Sequence, residues 1–252
     1  MTLETLEIDS RSFVPADQLP LPEWACVLSE RPQPTLTLKD DDLFLLTDTL
    51  GNIGGCAGDG QNDSMGLFCK DTRFLSRLEL QIEGRSPILL SSTADKGFIL
   101  SVLCTNPHIE DRIKAESIGI KRELVLNGGL FEEIEIANYS TTAVTFELSL
   151  SFDADFVDLF EIRGFAREKR GRLLRLMPEK REESPVKAQE VEPEGKLGTE
   201  ADSEDGVATA NPLSPELTKE LILAYQGLDG SLFESAIRFA HRQPDFFKGN
   251  TA

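Results

Sequence analysis

The chain has 252 residues, with 26 Lys+Arg against 44 Asp+Glu and a formal charge of −18. A balance so acidic makes nucleic acid and anionic lipid poor partners, and no apolar run approaches the roughly 18 residues a membrane-spanning helix requires. The first residues, Met1 to Asp9, include Glu4, Glu7 and Asp9 and lack a basic start and apolar stretch, so no secretory signal is read and the cytoplasm is the expected compartment.

Residues 1–39 contain Pro15, Pro20, Pro22, Pro32 and Pro34 and the single tryptophan, Trp24. Prolines at that density disfavour long helices and central strands, so an extended Pro-rich arm is expected, with Trp24 as an anchor. Strand-like sequence begins at Thr35–Leu38 and continues with the apolar run Leu43–Thr47. Gly51 to Gly66 is rich in glycine but lacks a Gly-Lys-Ser/Thr ending or dinucleotide fingerprint, and Asp59 and Asp63 repel phosphate; a surface loop is expected.

Gly66 to Ser76 places Lys70, Asp71, Thr72 and Arg73 between the apolar pairs Leu67-Phe68 and Phe74-Leu75. Burying that run requires partners for Asp71 and Arg73, because an unpaired buried charge costs several kcal/mol. Phe74, Ser76, Leu78, Leu80 and Ile82 then alternate with Arg77, Glu79 and Gln81, the period of a half-buried strand. Glu83-Gly84-Arg85 reads as a turn from which Ile88–Ser91 returns. Phe98, Leu100 and Val102 alternate again; Ile118, Ile120, Leu124 and Leu126 form a further stripe ending at the hairpin turn Asn127-Gly128-Gly129, followed by Ile134 and Ile136. Val144, Phe146, Leu148, Leu150 and Phe152 form the cleanest stripe, with Thr145, Glu147, Ser149 and Ser151 opposite, and Phe156, Phe160 and Ile162 suggest one more strand.

From Phe165 to Tyr225 no aromatic residue intervenes, and acidic residues crowd 179–217, where too little apolar surface is present to offset ordering; disorder is expected there. Leu221, Leu223 and Tyr225, the turn Gly227–Gly230, and Leu232–Phe239 read as a late hairpin. The resulting expectation is an all-β, antiparallel β-sandwich over 40–178 and 218–245, carrying a disordered acidic insertion at 179–217 and the arm at 1–39.

Chemistry-bearing clusters are few. Asp153, Asp155, Asp158 and Glu161 could be paired carboxylates or calcium ligands, but the calcium-loop spacing fails and alternation suggests a solvated strand end. The basic run Arg163, Arg167, Lys169, Arg170, Arg172 and Arg175 is expected to pair with the acidic insertion or neighbouring strands. Cys26, Cys56, Cys69 and Cys104 lack zinc spacing and read as free thiols, His108 reads as a loop residue, and no activated nucleophile is recognisable. Catalytic, cofactor-binding and metal-binding residues are therefore assigned to none.

Leu45–Asp48, Gly66–Ser76, Asp158–Gly164 and Ala224–Gly230, in that order and spacing, resemble the N-terminal domain of bacterial glycogen debranching enzymes of the amylo-α-1,6-glucosidase type. The resemblance implies a β-sandwich preceding an (α/α)6 barrel that carries the catalytic acids. No barrel sequence follows in this chain, so the barrel, in trans or missing, is the implied partner, α-glucan a candidate ligand, and the chain alone is expected to be inactive. Asp71, Thr72, Arg73 and Phe74 match the family motif and are expected to hold the sandwich together or face the barrel. A stand-alone carbohydrate-binding or protein-interaction sandwich is the alternative.

Overall fold

The computed structural model describes residues 4–18, 34–54, 64–110, 112–176 and 220–240. In chain order its strands are β1 (Leu6–Ile8), β2 (Arg11–Pro15), β3 (Leu36–Asp40), β4 (Leu43–Thr47), β5 (Gly66–Cys69), β6 (Thr72–Leu75), β7 (Arg77–Ile82) and β8 (Ile88–Thr93). They continue with β9 (Ile99–Thr105), β10 (Ile118–Leu126), β11 (Leu130–Asn138), β12 (Leu148–Asp153), a single helical turn α1 (Leu159–Ile162), β13 (Arg172–Leu176), β14 (Glu220–Gln226) and β15 (Leu232–Arg238). The protein is all-β, and its sheets run β1-β2-β13-β14-β15, β11-β10-β9-β8, β12-β7 and β3-β4-β5-β6. The pairing between these strands is antiparallel.

Two apolar faces make the sandwich. Leu80 and Ile82 of β7 meet Cys104, Ile118 and Ile120 of the β8–β11 sheet, with Phe146 and Leu148 packed at the margin. Further along, Leu38, Leu45, Leu75 and Leu78 join Leu100, Val102, Leu124 and Leu126 in one core, to which Leu223, Tyr225 and Phe233 of the β13–β15 hairpin region also contribute. Burial of each such side chain is worth about 1.5–3 kcal/mol, so this shared core binds the sheets to one another.

The Ile118–Leu126 stripe and the Asn127–Gly129 hairpin appear where the sequence places them, with β10 and β11 in register from Ile118↔Asn138 to Leu126↔Leu130, whereas the Val144–Phe152 stripe is strand only from Leu148. Several expectations change. The Pro-rich arm is not merely extended: residues 6–15 form a hairpin whose second strand pairs with β13, and Phe13 and Val14 are fully buried. Pro15 is tolerated because it ends its strand, where a missing N–H costs little. The stripe from Phe74 to Ile82 is broken at Ser76, whose amide donates to Asp153 O at 2.8 Å as the chain leaves β6 and pairs with β12. Ile88–Ser91 does not return along β7 but forms the exposed edge of the β8–β11 sheet. Ser149 and Ser151 are buried rather than solvated, opposite Gln81 and Glu79 in a polar layer where Glu79 accepts from Arg77 and Gln81. Gly51–Ile53, at the start of the glycine-rich stretch, is buried, and Ile53 bridges to Leu78. Trp24 and the acidic segment 179–217 lie outside the described residues.

Candidate functional site

The family-like motif Gly66–Ser76 is a hairpin rather than a strand entrance. Lys70 and Asp71 occupy its two-residue turn, both with positive φ (46° and 66°), the mirror-image turn whose twist suits a tight antiparallel pair. The register slips between Leu67 and Phe68, which face Leu75 and Arg73, so Phe74 is the extra residue of a bulge. Asp71 is exposed at the turn, whereas Arg73 is 9% exposed.

Arg73 is the centre of a clamp. Its Nε donates to Asp155 Oδ1 at 3.0 Å and Nη2 to Oδ2, a bidentate pair, while Nη1 donates to Met65 O at 2.9 Å. The stem of Arg73 lies across Gly66: a Cβ there would stand 2.9 Å from Arg73 Cγ, closer still to Cδ, and 3.0 Å from Leu75 O. Because both ends of the guanidinium are held, the stem cannot swing away. Gly66→Ala is expected to destabilise the domain by about 1–3 kcal/mol, as overpacking of a fixed contact does; a denaturation midpoint equal to wild type would show that the stem yields.

The motif also grips the 153–163 segment through its backbone. Arg73 N donates to Val157 O at 2.8 Å, Leu159 N donates to Asp71 O at 3.0 Å, and Thr72 bridges to Asp158. Between the residue held by the guanidinium and the residue held by the amide sits Phe156, buried, with φ at 51°. A bulky residue in the left-handed region is strained by about 1–3 kcal/mol and persists only when its surroundings over-determine it. Here they do. Phe156 packs edge-on against Phe74 (5.6 Å, 76°) and stacks on Tyr225 (5.8 Å, 17°), whose hydroxyl accepts from Gly171 N at 2.7 Å. Phe74 also meets Phe233 at 6.2 Å, and Ser235 Oγ donates to Phe74 O. The motif hairpin, the 155–165 segment and the late hairpin are thereby joined at one aromatic junction.

Phe160 and Ile162 belong to a helical turn, not to a strand. Asp158 caps it, accepting from Phe160 N and Glu161 N at 2.8 and 2.9 Å, while Glu161 Oε2 accepts from Asp158 N at 3.3 Å. Gly164 (φ 92°) closes it: Gly164 N donates to Glu161 O and Phe165 N to Phe160 O, the paired bonds of a glycine-terminated helix end. The accompanying hydrophobic contact is Phe160 against Phe165, edge to face at 6.1 Å.

This geometry corrects the reading of 153–161 as a solvated strand end. Asp155 is bound to Arg73, Asp158 to Arg167, and Glu161 to Arg170 at 3.1 Å. These carboxylates tie the segment to arginines and to its own helical turn. Likewise, the basic run pairs with neighbouring elements: Arg172 reaches Glu4 at 3.1 Å, and Arg170 lies 5.8 Å over the Tyr225 ring. Burial pushes the Asp153 carboxyl above the usual carboxylate range, against the opposing pull of the Ala154 amide and of Arg175 and Arg77. A raised folded-state pKa means the ionised form is penalised at neutral pH, and the penalty lifts as pH falls through the raised value towards the unfolded one. Asp153→Asn is thus expected to stabilise the domain at pH 7, with the gain shrinking as pH falls through the carboxylate range; a gain independent of pH in urea titrations would contradict this.

A second charged centre escaped the sequence reading. Arg122 lies within the apolar stripe Ile118–Leu126 and is 1% exposed. Its Nε donates to Glu132 Oε1 at 2.7 Å, and Nη1 donates to Leu50 O and Asn52 Oδ1 at 2.7 and 2.6 Å. Asn52 Oδ1 also accepts from Leu80 N at 3.1 Å, and Asp48 accepts from Leu50 N and Asn52 N at 2.8 Å each. The 48–53 turn is thereby pinned to both layers. The legible signal was phase: residue 122 falls on the inward side of its strand.

His108 is an exposed loop residue, as expected. Cys69 and Cys104 are free; burial pushes the Cys104 thiol up to about 11, which leaves it unreactive at neutral pH, and Cys26 and Cys56 lie outside the described residues. Among the described residues no three His, Cys, Asp or Glu side chains gather closely enough to hold a metal ion, and no helix is long and apolar enough to cross a membrane.

Together the bidentate clamp of Arg73, the strained aromatic junction and the capped turn define a β-sandwich domain in which the buried charge of the motif is paired within the domain, while Lys70 and Asp71 stay exposed at its turn. The chain belongs to the family of N-terminal domains of some glycogen debranching enzymes, whose family model matches residues 38–252. No curated protein and no solved structure matches the chain.

Proposed function

We propose that this domain is the non-catalytic N-terminal sandwich of a debranching-type glycoside hydrolase, supporting an (α/α)6 catalytic barrel in α-glucan breakdown. Family membership over residues 38–252 carries the reading. The side-chain pairing supports it: each carboxylate of the 155–161 cluster is occupied by an arginine or a helix cap, and the motif residues Asp71, Thr72, Arg73 and Phe74 contribute to the junction. A glycosidase of the two-carboxylate type needs its pair about 5–10 Å apart and free to act on the sugar, whereas Asp155, Asp158 and Glu161 are engaged by arginines. The test is glucose release from glycogen limit dextrin by this chain, by the barrel expressed separately, and by the two together. Activity that rises when the domain joins the barrel supports the reading. Glucose released by this chain alone, or no change on mixing, refutes it.

A further inference from the structure

β1 and β2 pair with each other from Leu6↔Phe13 to Ile8↔Arg11, about the turn Asp9-Ser10 with φ at 50° and 64°. The backbone pairing of this hairpin to β13 spans three positions, Leu176↔Phe13, Arg175↔Val14 and Leu174↔Pro15, and Pro15 has no N–H to give. The family match begins at residue 38, so the hairpin lies outside it, while β13, β14 and β15 lie inside. Without the hairpin, β13 is the edge of its described sheet. The face beside that edge is apolar: Leu174, Ile222 and Ala224 are buried with Phe13, and Leu176 and Leu232 pack against them.

We propose that the β13 edge, with the Leu174, Ile222 and Ala224 face beside it, is a strand-acceptor site, and that residues 4–18 are its tethered, releasable ligand. An open edge offers main-chain hydrogen bonds to any extended segment, and pockets for alternate side chains decide which segment fits. Here Phe13 and Val14 are the two anchors, each fully buried, and as neighbours in a strand they enter opposite faces of the sheet. Ion pairs set the orientation. Arg11 meets Glu234 at 2.6 Å, on the strand at the opposite end of the sheet, and Arg172 of β13 meets Glu4 at 3.1 Å. The ligand is encoded locally, because its turn and pairing are complete within residues 6–15. A two-stranded hairpin alone is marginal in water, so undocking and loss of order go together. The site goes beyond the supporting role proposed above and stands without it.

The full 252-residue chain provides both tests. In native-state hydrogen exchange under rising, sub-denaturing urea, the amides of residues 11–14 are expected to exchange through an opening at least about tenfold more populated than the one that exposes Ile120 and Leu124. Phe13→Asp/Val14→Asp is expected to unfold cooperatively with a lowered midpoint. It should bind a fluorescent peptide of residues 4–18 at least about tenfold more tightly than the wild-type chain, whose own hairpin fills the site at high effective concentration. A peptide carrying the same two substitutions should not bind. Exchange of residues 11–14 only together with β10 and β11 overturns the proposal, because the hairpin is then integral to the core. A variant without a cooperative transition does the same. A folded variant that fails to bind the wild-type peptide removes the acceptor site, and equal binding of both peptides removes the anchoring role of Phe13 and Val14.

Discussion

Arg73→Ala is expected to lower the unfolding free energy by about 3–5 kcal/mol, the loss typical when one partner of a largely buried ion pair is removed. The side chains of Arg73 and Asp155 are 11% and 20% exposed, so an orphaned Asp155 regains little water. The same change deprives Met65 O of its donor and removes the guanidinium hold beside Phe156, whose left-handed backbone the clamp helps to maintain. Urea denaturation should show a lower midpoint with an unchanged slope. Arg73→Lys is expected to recover only part of the loss, since an ammonium cannot reproduce the two-pronged contact. In a double-mutant cycle, Arg73→Ala with Asp155→Ala should cost much less than the sum of the single changes. Strict additivity, or a loss below about 0.5 kcal/mol as for an exposed pair, would refute the clamp.

The second large effect is expected at Arg122. Arg122→Met keeps the length and apolar stem but takes the guanidinium away from Glu132 and Leu50 O and leaves Asn52 Oδ1 only its bond from Leu80 N, at a cost of about 3–5 kcal/mol. Its local signature separates it from a general loss of packing. The Ile53 amide, bonded to Leu78 O at 2.8 Å, should lose hydrogen-exchange protection before the β10–β11 pairing does, because Arg122 holds the 48–53 turn against the sheet. Double replacement, Arg122→Met with Glu132→Leu, should recover much of the loss, as apolar substitutes for buried ion pairs often do. Uniform loss of protection across both elements would contradict the pinning role.

Arg122 and Asp155 show what alternation alone leaves undecided. Period-two patterning says which side of a strand a residue faces, not whether a charge on the inward side finds a partner. Arg122 sits in phase with Ile120 and Leu124 and is buried because Glu132, on the adjacent strand, and the carbonyls of the 50–52 turn meet its guanidinium. Asp155 was assigned to solvent on phase alone, although its partner Arg73 lies 82 positions away and no local rule could pair them. The helical turn at 158–164 is a different kind of miss. Its signals were written locally, an Asp three residues before a Glu and a closing glycine, and were outweighed by reading Phe156, Phe160 and Ile162 as alternation.

What the sequence determined by itself was the all-β class, the β10–β11 and β14–β15 hairpins, and the family to which the chain belongs. Hydrophobic period, turn residues and a short ordered motif are local properties, and each is complete within about ten to twenty residues. Only the tertiary structure decided that residues 6–15 add a hairpin to the β13–β15 sheet, that Ser149 and Ser151 are covered, and that the motif closes on Asp155 and Phe156. Each of those depends on which distant segment covers a face or meets a charge, and that choice is made by the packing of the sheets against one another.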